Sequence, residues 1–204
     1  VYDYVDGFLA EDDVMVAARR LASELGCGAV GNASGATLRF LAATLQARAV
    51  VEVGTGAGVS GLCLLAGMAP DGVLTSIDIE PELQRAARHA FTEAGTTAGR
   101  MRLIMGQALD VLPRLTDGGY DLVFFDAARL EYPRYHEQGV RLLRPGGVMA
   151  FANVRGLDAS RRDVESMALR EVTKAVRDDK RLVPVLLPVD NGLLVATRRL
   201  TARS

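Results

Sequence analysis

The chain has 204 residues, 49% of them apolar and 24% charged, which suits one domain with a sizeable core. A net charge of −1 leaves no basic excess for nucleic acid and no acidic tail. Two cysteines, Cys27 and Cys63, are too few for a disulfide scaffold and read as buried, reduced thiols of a cytoplasmic protein. No apolar run approaches the ~18 residues of a membrane span, and no signal-peptide pattern is visible.

In chain order, residues 11–25 read as a helix with acids in the first turn and Gly26 just past its end. Residues 34–46 read as a second helix. The valine-rich "AVVEV" at 49–53 is a buried strand. After it the pattern alternates: helix from "GVSGLCLLAGM", strand from "GVLTSID", then a helix over 81–95 opened by Pro81 and stopped by Gly95. "MRLIMG" is a strand, "ALDVLPRL" a short helix, "YDLVFFD" a strand, "PRYHEQGVRLL" a helix and "GGVMAFAN" a strand. A long helix over 160–179 precedes "RLVPVLLPV" and "LLVATRRL", which Asn191-Gly192 joins as a hairpin.

Strand–helix alternation predicts an α/β fold: a Rossmann-like, doubly wound seven-stranded sheet with helices on both faces and the last strand antiparallel. Pro184 and Pro188 suit an edge strand. The expected organisation is one domain over 1–204, with N-terminal helices in 1–46 and the core in 47–204.

Ligands of such sheets bind beyond the carboxyl ends of the strands. The first strand runs into "EVGTGAGVSG", where glycines allow tight turns close to a ligand and a helix then opens near Val59 and Ser60. Two ligands compete. Gly56, Gly58 and Gly61 fit the dinucleotide spacing, with Asp78, 20 residues after Gly58, as the acid for a ribose. Glu52, Gly54, Gly56 and Gly58 also read as E-x-G-x-G-x-G. An acid there repels a pyrophosphate and suits a ligand with a positive group, which favours S-adenosylmethionine over NAD.

"VVEVGTGAGVSGLCLL", "GVLTSIDIEPELQRAAR", "GQALDVLPRL", "YDLVFFDA", "LLRPGGV" and the closing hairpin, in that order, resemble the class I S-adenosylmethionine-dependent O-methyltransferases of the caffeoyl-CoA and catechol type. The resemblance implies a small-molecule hydroxyl acceptor and a homodimer, as in many members; charge and hydropathy leave no nucleic-acid or membrane partner expected. It places Glu52, Gly54 and Thr55 along the methionine part of the cofactor and Ser60 on its carboxylate, with Gly56 of the glycine loop also at the cofactor. Asp78 falls on the ribose, Ile79 and Ala108 at the adenine, and Val30 at the cofactor's edge.

One stretch departs from the family. Where relatives carry Asp-Ala-Asp-Lys and a later Asp-Asn, this chain has Asp126, Ala127, Ala128 and Arg129, then Ala152 and Asn153. Asp126 and Asn153 keep two of the three metal ligands that the resemblance implies, but Ala152 replaces a carboxylate. One carboxylate and one amide make a poor Mg²⁺ site, so no metal is expected. Arg129 stands for the lysine usually assigned as base. An arginine, with a pKa above ~12, cannot act as one, though it can fork onto a phenolate or carboxylate. Asp126 and Arg129 are the catalytic candidates, with Asp126 taking the acceptor's proton or stabilising the sulfonium. The other reading is a cofactor-binding partner or sensor protein that has lost catalysis. Tyr132, Tyr135 and His136 read as packing or surface residues, and the charges of 177–181 as a solvated helix end.

Overall fold

The computed structural model describes residues 4, 6–154 and 163–200. Two helices lead the chain, α1 (Asp13–Glu24) and α2 (Asn32–Thr44). Asp12 caps α1 by accepting from the Met15 amide at 2.8 Å. The alternating core follows: β1 (Ala49–Val53), α3 (Val59–Gly67), β2 (Val73–Asp78), α4 (Pro81–Glu93), β3 (Met101–Met105), α5 (Ala108–Val111), β4 (Tyr120–Phe125), α6 (Tyr132–Leu142), β5 (Leu143–Phe151) and α7 (Val164–Asp178). The chain closes with β6 (Leu182–Leu187) and β7 (Leu193–Arg198).

The sheet runs β3-β2-β1-β4-β5-β7-β6. Strands β1 to β5 are parallel, and β7 pairs antiparallel with both β5 and β6. The expected seven strands and antiparallel last strand are therefore present. β6 is the edge strand and carries Pro184, whose missing N–H costs least there.

Strand alternation splits the core in two. Phe124 faces the layer of α1 to α4, and Phe125, one residue on, faces the layer of α5 to α7. Both are fully buried, as are Val50 and Val51, which divide the same way on β1. Burying each such side chain contributes about 1.5–3 kcal/mol, and this sets the strand register.

The winding reverses between β1 and β4, so their carboxyl ends open a crevice. Gly54 follows one strand and Asp126 the other. The Asp126 amide donates to the Val53 carbonyl at 2.8 Å and ties the two ends together. Among the described residues no helix is long and apolar enough to cross a membrane.

Candidate active site

The crevice holds a cavity of about 360 Å³. Its wall collects Val30, Gly54, Thr55, Gly56, Ser60, Asp78, Ile79, Ala108 and Asp126, nine of the residues predicted from sequence. Glu52 and Arg129 are not on it.

The glycine loop is shaped by necessity. Gly54 has φ +96°, and a Cβ there would lie 2.1 Å from the Asp126 carbonyl oxygen. Only glycine lets β1 and β4 end so close together. Gly58, at φ +95°, starts α3 and packs against Ala87 and Phe91 of α4.

Asp78 braces this loop. Its Oδ2 accepts from the Thr55 amide at 2.9 Å and the Gly56 amide at 3.1 Å, and its Oδ1 accepts from the Glu80 amide at 3.0 Å. A carboxylate has about four acceptor positions, so one remains for a ligand hydroxyl in the cavity. Ile79 is 53% exposed at the rim, which excludes a core-packing role for it. Val30 is buried and belongs both to the core and to the cavity wall.

Glu52 lies one layer behind the wall. It is fully buried, and its two carboxylate oxygens accept from the Ser60 and Ser76 hydroxyls, each at 2.5 Å. Ser76 stands opposite Glu52 in the β1–β2 register and in turn contacts the Thr55 hydroxyl at 2.7 Å. Burial pushes the Glu52 carboxyl up to about 7, against the pull of both serines, and the charges of Asp126 and Asp78 push the same way. From sequence Glu52 is expected at the cofactor; in the fold it is off the cavity wall and is linked to it through Ser60 and, by way of Ser76, through Thr55. The signal for this network was Ser76, a polar residue in the interior of β2.

Asp126 faces the cavity. Its Oδ1 accepts from Asn153 Nδ2 at 2.9 Å. Burial raises its carboxyl to about 6, while the Asn153 hydrogen bond and the Arg129 charge pull it back. Tyr132, fully buried, donates to the Ala152 carbonyl at 3.0 Å and contacts the Phe125 carbonyl at 3.3 Å, clamping the strand ends that carry Asn153 and Asp126.

Arg129 sits elsewhere. It pairs with Glu165 of α7, both side chains about half exposed, while its chain neighbours Ala128 and Glu131 line the cavity. Its guanidinium acts on Asp126 only through its charge.

Cys27 and Asp179 differ from the sequence expectation, and Tyr135 packs as expected while also reaching the cavity. Cys27 is half-buried and lines the cavity, whereas Cys63 is buried as expected. Tyr135 is buried but also lines the cavity, its hydroxyl donating to Glu131 at 2.5 Å. Asp179, taken as part of a solvated run, has a side chain only 8% exposed, set 3.0 Å from His136 Nε2 and bonded to Arg181 at 2.7 Å. The start of the helix expected at 160 and most of the loop after Asn153 lie outside the described residues.

The donor set does not suit a divalent ion at the cavity. Ala152, where the resemblance implies a second carboxylate, offers no ligand and is 3% exposed. Asn153 presents its amide nitrogen, not its oxygen, to Asp126. Among the described residues, the one group of three His, Cys, Asp or Glu ligand atoms within reach of each other is His136, Glu137 and Asp179, away from the cavity.

A seven-stranded sheet closed by an antiparallel β7, with a glycine loop after β1, an acid ending β2 and a half-buried acid beyond β4, is the Rossmann-like methyltransferase fold. The model of the O-methyltransferase family matches residues 8–199, and the chain belongs to that family as an S-adenosylmethionine-dependent O-methyltransferase. A Mycolicibacterium vanbaalenii protein, an O-methyltransferase by name, is 52% identical over 202 residues, covering 97% of this chain and 89% of its own. A Corynebacterium glutamicum crystal structure superposes with a TM-score of 0.91 at 31% identity, covering 98% of this chain and 96% of that one. The O-methyltransferase TomG of Streptomyces achromogenes, involved in tomaymycin synthesis and solved with S-adenosylmethionine, gives a TM-score of 0.88 at 28% identity, with the same coverage of both chains.

Proposed function

We propose that this O-methyltransferase acts on a hydroxyl of a small-molecule acceptor without a divalent metal, with Asp126 as the proton acceptor. The observation that carries the reading is the Asp126 carboxylate, half-buried at the cavity, held by one amide donor and faced by no second carboxylate at Ala152.

S-adenosylmethionine supplies an electrophilic methyl group on a sulfonium. The residues would hold it as follows. The Gly54–Gly56 backbone and Ser60 take the methionine end, and the open acceptor position of Asp78 takes a ribose hydroxyl. Ile79 and Ala108 flank the base, with Val30 closing the edge. Asp126 then lies where the two reactants meet. With a pKa near 6 it is mostly ionised at neutral pH and basic enough to take the hydroxyl proton as the oxygen–methyl bond forms and the sulfur–methyl bond breaks. Its negative charge also favours the sulfonium in the ground state, so alignment of the reactants is the main contribution asked of the protein. A homodimer is carried over from the family resemblance and is read directly by sedimentation.

The test is transfer of labelled methyl from S-adenosylmethionine to a panel of catechols, phenols and hydroxy acids, with Mg²⁺ and with EDTA. Equal transfer in both is the expected result. Transfer lost in EDTA and restored by Mg²⁺ would overturn the metal-free reading. Cofactor binding with no transfer to any acceptor would favour a binding protein.

A further inference from the structure

The turn between β6 and β7 is built more tightly than a surface hairpin needs. The Gly192 amide donates to the Val189 carbonyl at 2.7 Å, and Asp190 is held at φ +45°. The turn is anchored on two sides. On one, Asp190 Oδ2 accepts from the Ser34 amide at 2.9 Å, at the start of α2. Gly31 makes the room: a Cβ there would lie 2.1 Å from Asp190 Oδ1. On the other side, the Val154 amide donates to the Gly192 carbonyl at 3.2 Å, and Asn191 Nδ2 donates to Asn153 Oδ1 at 3.4 Å. Asn153 itself sits at φ +58°.

We propose that Asn191 is a positioning residue for methyl transfer: it fixes which way the Asn153 side chain faces, and through it the Asp126 carboxylate. The proposal rests on the reading of Asp126 given above.

At 3.4 Å the Asn191 bond is long and individually weak. Its effect lies in the comparison of two orientations. As placed, the Asn153 amide gives its nitrogen to Asp126 and its oxygen to Asn191. Turned over, it would set its oxygen against the Asp126 carboxylate and lose that bond, and the Asn191 amide would have to turn with it to avoid nitrogen against nitrogen. The turn cannot drift to relieve this, because Asp190 and Gly192 pin it to α2 and to Val154. Asn191 has no left-handed backbone angle, so substitution there removes the amide without straining the turn.

The experiment uses the full chain carrying Asn191→Ala, Asn191→Asp and Asn153→Ala, and the Asn191→Ala/Asn153→Ala pair. The Asn153 side-chain amide resonances are followed in ¹⁵N-labelled protein, and kcat and KM on whichever acceptor of the panel is turned over. Asn191→Ala is expected to move the Asn153 amide resonances and lower kcat about three- to tenfold, with KM for S-adenosylmethionine and Tm unchanged. Asn191→Asp offers an acceptor to the wrong end of the amide and is expected to cost more. In the Asn153→Ala background, Asn191→Ala should add nothing further. Unmoved Asn153 resonances, or an equal loss in that background, would overturn the proposal. Asp126→Asn separates the two claims. If that variant keeps full transfer, the role of Asp126 falls, and the amide resonances alone decide the role of Asn191.

Discussion

Asn153 donates to Asp126 across the ends of β5 and β4, Nδ2 to Oδ1 at 2.9 Å, and this bond is the centre of the site's electrostatics. It is a donor placed beside a carboxylate that burial would otherwise neutralise.

Asp126→Asn should separate activity from stability. The Asp126 carboxyl stands at about 6 in the fold against 3.8 ordinarily. The folded chain therefore binds this proton more tightly than the unfolded chain. Its contribution to stability grows as pH falls from about 6 toward 3.8 and is lost above that window. A base must be ionised, so transfer should fall over the same range. At pH 8 the Asn variant should melt higher, by an amount on the order of 1–2 kcal/mol, and lose roughly 10²–10⁴-fold in transfer. Thermal melts and rates at pH 5 and pH 8 check both; full activity in the variant would remove Asp126 from the reaction.

Glu52 offers a second pH test that does not depend on an acceptor. Its carboxyl stands at about 7 against 4.5, with the same sign: the charge is a cost above pH 7 and is relieved as pH falls toward 4.5. Glu52→Gln keeps an acceptor for Ser60 and removes the charge. It should raise Tm relative to the parent at pH 8 and change it little at pH 5. Glu52→Ala leaves the Ser60 and Ser76 hydroxyls without their acceptor beside a new cavity, and should cost about 2–4 kcal/mol at either pH. If Glu52→Gln melted lower than the parent at pH 8, the buried charge would be worth more than it costs.

Much of this was legible in the sequence because it depends on local signals. Alternating apolar runs gave the parallel core, Asn191-Gly192 gave the hairpin, and Pro184 marked the strand that proves to be the edge. The glycine loop and Asp78, the acid ending β2, were found by spacing, and Asp126 through the family resemblance. What was not legible depends on where distant side chains turn. Arg129 follows Asp126 in sequence, yet it is drawn to Glu165, 36 residues away, because α7 packs over that turn. Asp190 caps α2 from 156 residues away, and nothing in either local sequence announces the pairing. Glu52 follows strand parity: neighbouring Val51 and Val53 pack toward α5 to α7, so its side chain falls in the opposite layer, beneath α3 rather than in the crevice.

Gly54→Ala should abolish cofactor binding rather than merely weaken it. The new methyl would lie 2.1 Å from the Asp126 carbonyl oxygen, a backbone atom that cannot swing aside, and the residue would keep φ +96° at a cost of about 1–3 kcal/mol. The strand ends must separate, which breaks the Asp126 amide bond to Val53 and moves both the glycine loop and the carboxylate. Calorimetric titration with S-adenosylhomocysteine checks this; affinity within a few-fold of the parent would mean that the loop bears no part of the cofactor.

Arg129→Ala tests the largest change from the sequence reading. If Arg129 oriented a phenolate, its loss should cost roughly 10²-fold or more in transfer. The geometry gives a smaller effect. The guanidinium is 41% exposed and paired with a Glu165 that is 46% exposed, an arrangement worth under about 1 kcal/mol in stability. Its charge reaches Asp126 only as the lesser of two influences lowering that carboxyl. Removing it should therefore raise the Asp126 pKa slightly. Transfer should drop by up to about twofold at pH 6 and hardly at all at pH 8. Measuring kcat at the two pH values decides between the roles, because a residue that touches the acceptor would cost as much at pH 8 as at pH 6.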